Sequence, residues 1–311
     1  MPRTVLSIGN FDGVHIGHAA LLHRARELAG ADGRVVAISF DPHPATILRP
    51  ERTPPRLTTF ARREELLRGL GADVVEKLEP TPAILAMSAE EFIRGLVARH
   101  EPAWIIEGPD FHFGKGRSGT LGLLRSLGAA NGYSLHVEPA VTLGLHDQLI
   151  APASSSLTRW LLANARVADA GLVLGRPHRL EGVVVKGDQR GRTIGFPTAN
   201  LDSEVMPPAD GVYAAIATLP DGRTHPAALN IGTRPTFQGI DRRVEAHLIG
   251  AAGLPEYGWR LSLDVVAFVR DQVRFDSIQR LTEQLRRDCD RAAEMLASAT
   301  TFSTTEPLAC R

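Results

Sequence analysis

Cysteine is nearly absent from this 311-residue chain. Its two cysteines, Cys289 and Cys310, stand far from any Cys-x-x-Cys spacing, which excludes a disulfide framework and a thiolate zinc site and points to a reducing compartment. Net charge is missing as well: 35 basic residues balance 35 acidic ones, so no overall field draws the chain to nucleic acid or to an anionic membrane. No apolar stretch approaches membrane-spanning length, and Met1-Pro2-Arg3-Thr4 runs straight into a strand-like segment without a leader pattern. Repeats and low-complexity blocks are also lacking. A cytoplasmic location is therefore expected. What remains is an ordinary apolar share, 43%, in a chain long enough for two domains with sizeable cores.

In the first half, short β-rich runs (Val5 to Ile8, Val35 to Phe40, Val74 to Leu78, Trp104 to Ile106, Leu135 to Val137) alternate with helical patterns near His18 to Leu28, Arg62 to Leu70, Ala89 to Ala98 and Gly119 to Gly128. That rhythm predicts a parallel sheet covered by helices, with ligands at the carboxyl ends of the strands. Ser156 to Val173 reads as helical, a packed connection. After Leu174-Gly175-Arg176-Pro177 alternating strands take over (Gly182 to Lys186, Val212 to Thr218, Ala227 to Ile231, Val244 to Leu248, Leu261 to Phe268), which predicts a small antiparallel barrel. A final charged helix, about Ser277 to Leu296, reads as a solvated outer face, and Ser298 to Arg311 as a frayed tail.

Two segments carry chemistry. Gly9-Asn10-Phe11-Asp12-Gly13-Val14-His15-Ile16-Gly17-His18 joins the first strand to a helix. Glycines let backbone approach a triphosphate, the helix start offers N–H groups, and two imidazoles donate to phosphoryl oxygens as charge builds. Two histidines three apart are otherwise a solvated pair or a metal pair, although no convincing third ligand is in sight. The second segment is Gly187-Asp188-Gln189-Arg190-Gly191-Arg192-Thr193-Ile194-Gly195-Phe196-Pro197-Thr198-Ala199-Asn200. Its glycines permit close approach of phosphate, and a hydroxyl and an amide provide neutral oxygens for Mg²⁺; it is not a Walker A loop. Read without context it is equally a hairpin turn with a Pro-containing edge.

The first segment resembles the FAD synthetase branch of the nucleotidyltransferases, and three further stretches match in order: Phe40-Asp41-Pro42-His43-Pro44, Gly108-Pro109-Asp110-Phe111-His112-Phe113-Gly114 and Ser154-Ser155-Ser156-Leu157-Thr158-Arg159. The last is similar to the family's Ser-Ser-Thr-x-Ile-Arg, with Ser156 for threonine and Thr158 for isoleucine. Gly195 to Asn200 is similar to the riboflavin kinase motif Gly-Phe-Pro-Thr-Ala-Asn, followed by Asn230-Ile231-Gly232-Thr233-Arg234-Pro235-Thr236-Phe237 and Val244-Glu245-Ala246-His247. Two departures fall in the flavin loops, Pro255-Glu256-Tyr257-Gly258 for the usual Asp-Leu-Tyr-Gly and Gly250 for an aspartate. Many relatives also carry a short segment before the first strand, and contacts made there are not expected here.

The resemblance implies a bifunctional riboflavin kinase/FAD synthetase. Its adenylyltransferase domain, Rossmann-like with a parallel sheet, would span residues 1–172, its kinase domain, a barrel with a final helix, 173–298, and a tail 299–311. It implies that His15, His18 and Arg159 stabilise phosphate charge, that Gly9, Asn10, Phe11, Asp12, Gly17, Ser155 and Ser156 bind nucleotide, that His43 and Pro44 line the cleft, and that Asp110 lies near adenosine. In the kinase, Gly187, Arg192, Gly195, Phe196 and Pro197 would bind substrate, Thr198 and Asn200 would hold Mg²⁺–ATP, and Glu245 would be the general base. Riboflavin, FMN and ATP are then the small-molecule partners, with FAD as product and at most weak self-association. Alternatives from other classes are a paralogue with one lapsed site and a non-catalytic flavin-binding protein. Pantetheine-phosphate and nicotinate adenylyltransferases share His-x-Gly-His but lack the kinase motif.

Overall fold

The computed structural model describes residues 3–187, 191, 194–236 and 239–302, with the backbone alone for 234–236, 239–241 and 299–302. Arg192, Asp188 to Arg190, Thr193, Phe237, Cys310 and the rest of the expected tail from residue 303 lie outside the described residues. The chain divides into two compact units, Met1–Ser155 and Ser156–Arg311. Among the described residues no helix is long and apolar enough to cross a membrane.

In the first unit, β1 (Thr4–Gly9) buries Val5, Leu6, Ser7 and Ile8 in succession because both its faces are covered. It pairs in parallel with β2 (Arg34–Phe40) on one side and β4 (Trp104–Glu107) on the other; β3 (Val74–Leu78) and β5 (Ser134–Val137) complete the order β3-β2-β1-β4-β5. Side-chain alternation sorts the core. Val5, Val35 and Ala37 pack with Leu22, Ala25 and Leu67, from α1 (Ile16–Ala29) and α3 (Phe60–Gly69). Leu6, Ile8, Val36 and Ile38 face Phe92, Ile93 and Leu124, from α5 (Ala89–His100) and α6 (Leu121–Asn131). The short helices α2 (Ala45–Leu48) and α4 (Pro82–Ala86) sit in connections, and β6 (Thr142–Gly144) pairs with β7 (Ile150–Pro152) as a separate ribbon. The starts of α3 and α5 are capped by side chains, Thr59 on Arg62 N at 3.2 Å and Ser88 with Glu91 in a reciprocal capping box, whereas that of α1 has no side-chain cap. The chain runs outward from β1 to β2 and β3, then crosses to β4. The strand order thus reverses between β1 and β4, and their carboxyl ends open a crevice of the kind that takes ligands.

The second unit opens with α7 (Ser155–Ala163) and α8 (Val167–Leu174), where sequence periodicity predicts one helical stretch. Ala165, at φ 58°, breaks it. Strands β8 (His178–Val185), β9 (Ala199–Asp202), β10 (Gly211–Thr218), β11 (Thr224–Thr236), β12 (Gly239–Leu248) and β13 (Arg260–Arg270) close a barrel in the order β10-β11-β12-β9-β8-β13. The last helix, α9 (Ile278–Phe302), corrects the expectation of a purely solvated face. Ala292 and Leu296 are buried with Ala214 of β10, and buried Asp288 receives the Arg270 guanidinium at 2.8 and 2.6 Å.

Candidate active sites

The turn after β1 is strained where the histidines follow. Phe11, Gly13 and Val14 have φ of 47°, 84° and 41°, and for a β-branched valine the left-handed region is costly unless its surroundings impose it. They do. Buried Asp12 accepts from Leu57 N at 3.1 and 3.0 Å, from Thr58 N at 3.0 Å and from Thr58 Oγ1 at 3.1 Å. Gly13 N donates to Thr58 Oγ1 at 3.2 Å, Ser39 Oγ to the Asn10 carbonyl at 3.1 Å, and Ser155 Oγ to the Asp12 carbonyl at 2.7 Å. Asp12 is therefore the post to which the turn is tied, and Ser155 braces it.

Thus held, the turn delivers His15 to the N-cap of α1, with its ring stacked on His18 at a centroid distance of 3.7 Å and an edge of Phe11 5.1 Å from His18. A Cβ at Gly17 would come within 3.1 Å of the His15 ring, so the glycine of His-x-Gly-His makes room for an imidazole. Both rings stand at the positive end of the helix dipole, a position suited to anionic ligands.

His43 Nδ1 accepts from Ala45 N at 3.0 Å, and its Nε2 lies 3.2 Å from the Asn10 amide nitrogen, so both ring nitrogens are engaged. Pro44 is the N-cap of α2. Beside them lies a cavity of about 200 Å³ bounded by Asn10, Asp41, His43, Arg56 and Arg63. Asp41, 4% exposed, faces Lys77 at 2.9 Å, Arg56 at 3.2 Å and Arg63 at 3.7 Å. Arg56, Arg63 and Lys77 escape a sequence reading, since arginine and lysine among other charges look like solvated surface. Asp110 is exposed just beyond β4. Glu107, the last residue of β4, is buried, receives Ile8 N at 2.7 Å, and has its carboxyl pushed well above the usual range by desolvation. Ser156 is exposed on α7, Thr158 fully buried and Arg159 half-buried there. Among the described residues no three His, Cys, Asp or Glu side chains are grouped so as to hold a metal ion.

In the barrel, Glu245 of β12 is the cross-strand partner of Asn230 on β11 and of Asn200 on β9, so the three side chains form a row on one face. The loop before β9 folds onto that row. Phe196 N donates to the Gly191 carbonyl at 2.8 Å, Gly195 has φ 85°, and His247 Nδ1 meets the Pro197 carbonyl at 2.8 Å while its ring lies 5.3 Å from Phe196. A Cβ on Gly187 would sit 2.1 Å from Asn200 Nδ2, and one on Gly191 2.2 Å from the Phe196 carbonyl and 3.6 Å from Thr198 Oγ1. These glycines are required by close approach. The Asn200 amide oxygen is buried and accepts no hydrogen bond among the described residues, as suits an oxygen that serves a cation.

Comparison with known proteins divides the chain in the same sequence. A riboflavin kinase family model matches residues 174–296 and an FAD synthetase family model residues 1–150. Similar relatives include a bifunctional riboflavin kinase/FMN adenylyltransferase of Escherichia coli (strain K12), 35% identical over 91% of this chain and 90% of its own, and one of Pseudomonas fluorescens, 36% identical over 94% and 93%. A crystal structure from Streptococcus pneumoniae, described as a macrolide-efflux protein, superimposes with a TM-score of 0.84 at 28% identity over 94% of both chains.

Proposed function

The chain belongs to the bifunctional riboflavin kinase/FMN adenylyltransferase family, and from that premise we propose where its two reactions run. The enzyme phosphorylates riboflavin to FMN and adenylylates FMN to FAD, using ATP in each reaction. We assign FAD formation to residues 1–172 and FMN formation to residues 173–298, and we place the enzyme in the cytoplasm.

For adenylylation, the observation that carries the assignment is the stacked His15–His18 pair at a helix start, on a turn tied down through Asp12. The phosphate of FMN attacks the α-phosphorus of ATP and pyrophosphate leaves. His15 and His18 donate to the phosphoryl oxygens as charge accumulates, and the resemblance assigns Arg159, Ser155 and Ser156 to the donor phosphates and Asp110 to adenosine. Gly9 to Asp12, Gly17, His43 and Pro44 shape the cleft. No protein nucleophile is needed, and positioning does most of the work.

For phosphorylation, the row Asn200–Glu245–Asn230 carries the assignment. Glu245 takes the proton of the riboflavin 5′-hydroxyl as that oxygen attacks the γ-phosphorus of ATP in line. Thr198 and the buried Asn200 oxygen fit Mg²⁺, which when bound neutralises charge on the ATP phosphates. Gly187, Gly195, Phe196 and Pro197 shape the approach to them.

Purified protein is mixed with ATP, Mg²⁺ and either riboflavin or FMN, and the flavins are separated over time. The unaltered enzyme yields FMN and then FAD. His18→Ala stops at FMN, and Glu245→Gln makes FAD from supplied FMN but no FMN from riboflavin. Loss of both activities together in either variant would count against separate sites.

A further inference from the structure

Residues 271–277, which lead from β13 into α9, take no part in either reaction described above. Gln272 in that segment turns back onto the barrel wall. Its Nε2 donates to Asn230 Oδ1 at 2.9 Å and to the Ile231 carbonyl at 3.0 Å. The approach is close enough that a Cβ on Gly232 would lie 2.1 Å from the same nitrogen. Gly232 is thus the berth of the Gln272 amide.

Asn230 is the cross-strand partner of Glu245. Directly opposed residues have Cβ atoms about 4.5–5.5 Å apart, within reach of an amide and a carboxylate. An asparagine amide left to itself turns over at little cost and presents either its oxygen or its NH₂ to a neighbour. An oxygen turned to a carboxylate repels it, whereas an NH₂ donates to it and holds it in one orientation. With Oδ1 engaged by Gln272, that choice is made.

We propose that Gln272 is a positioning residue for riboflavin phosphorylation: by holding Asn230 Oδ1 it commits the Asn230 NH₂ to the Glu245 side of the row and so orients the carboxylate that takes the hydroxyl proton. This rests on the assignment of Glu245 as the base. Gln272 acts through Asn230 and touches neither substrate, so its loss lowers the rate of the proton-transfer step and leaves substrate binding in place.

The full-length enzyme is assayed for riboflavin phosphorylation as Gln272→Ala, Gly232→Ala, the double variant and Glu245→Gln, with FAD formation from FMN and thermal unfolding as controls. A base contributes about 10²–10⁴-fold, and its misorientation removes part of that. Gln272→Ala is expected to lower kcat about tenfold, with KM for riboflavin and ATP within about twofold of wild type. Gly232→Ala, which expels the Gln272 amide from its berth, reproduces this loss, and the double variant is no worse than the poorer single one. Adenylylation is unchanged throughout. Wild-type kcat in Gln272→Ala beside a loss in Glu245→Gln overturns the positioning role alone, as does a loss confined to KM. Wild-type kcat in Glu245→Gln overturns the base assignment, and the positioning role falls with it.

Discussion

The imidazoles of His15 and His18 stack 3.7 Å apart with their planes 23° from parallel, so the two rings act as one unit at the head of α1. Removing one ring deletes a donor and also the face that orients the other. Loss of a single donor to developing charge costs about 10²–10³-fold. His18→Ala is therefore expected to lower FAD formation from FMN by at least about 100-fold. FMN formation should continue at the wild-type rate in the same protein, read by flavin separation from one reaction mixture.

Gly17→Ala separates catalysis from stability. Alanine in place of glycine favours a helix by roughly 1 kcal/mol, so the melting temperature is expected to hold or rise slightly. Its methyl, however, would stand 3.1 Å from Cε1 and Nδ1 of His15, closer than ordinary contact, and the ring must yield by a few tenths of an ångström. Small displacements of a reacting geometry are costly, and FAD formation is expected to fall about 3- to 10-fold with kinase activity unchanged. A fall in both activities would mean general damage.

What periodicity carries, the sequence showed. Val74–Leu78 has the bounds expected, α1 and α5 lie where the apolar spacing puts them, and the switch from helical alternation to paired strands marks the barrel. Strand β9 stayed hidden because Ala199–Asp202 follows a proline and its polar residues mask the alternation. The larger gaps concern partners far apart in the chain. Asp12 reads as a nucleotide contact, while its carboxylate is engaged by the backbone of Leu57 and Thr58, 45 and 46 residues on. Asn230 is legible as a motif residue, but Gln272, 42 residues away, carries no local signal. Close approach likewise gives glycine a meaning only in three dimensions, as at Gly187 and Gly232.

Gly187→Ala tests that meaning in the kinase. The new methyl would lie 2.1 Å from Nδ2 and 2.5 Å from Cγ of Asn200, a short side chain with little room to retreat. If Asn200 helps to hold Mg²⁺, the variant needs a higher Mg²⁺ concentration for half-maximal FMN formation, and its rate at saturating metal falls by about tenfold or more. Adenylylation is expected to remain at the wild-type level. An unchanged Mg²⁺ dependence alongside a lower rate would remove Asn200 from the metal site.

Glu107 predicts a pH dependence of stability with a definite sign. The paired register of β1 and β4 ends at Ile105, and two residues on the Glu107 carboxyl takes the Ile8 N–H at 2.7 Å while only 3% of the residue is exposed. Burial pushes this carboxyl well above its ordinary value of 4.5. The unfolded chain ionises near that ordinary value while the folded protein keeps the proton, so between the two values the native state binds more protons and stability falls as pH rises. Gln at this position keeps an oxygen for the Ile8 N–H and cannot ionise. Glu107→Gln should therefore unfold at a temperature whose advantage over wild type grows as pH rises above 5 and levels off once the folded carboxyl ionises, in a series measured up to pH 8 at fixed ionic strength. A difference constant across that range would mean that Glu107 is ionised in the folded protein, and the carboxylate would then need a cation that none of the described residues supplies.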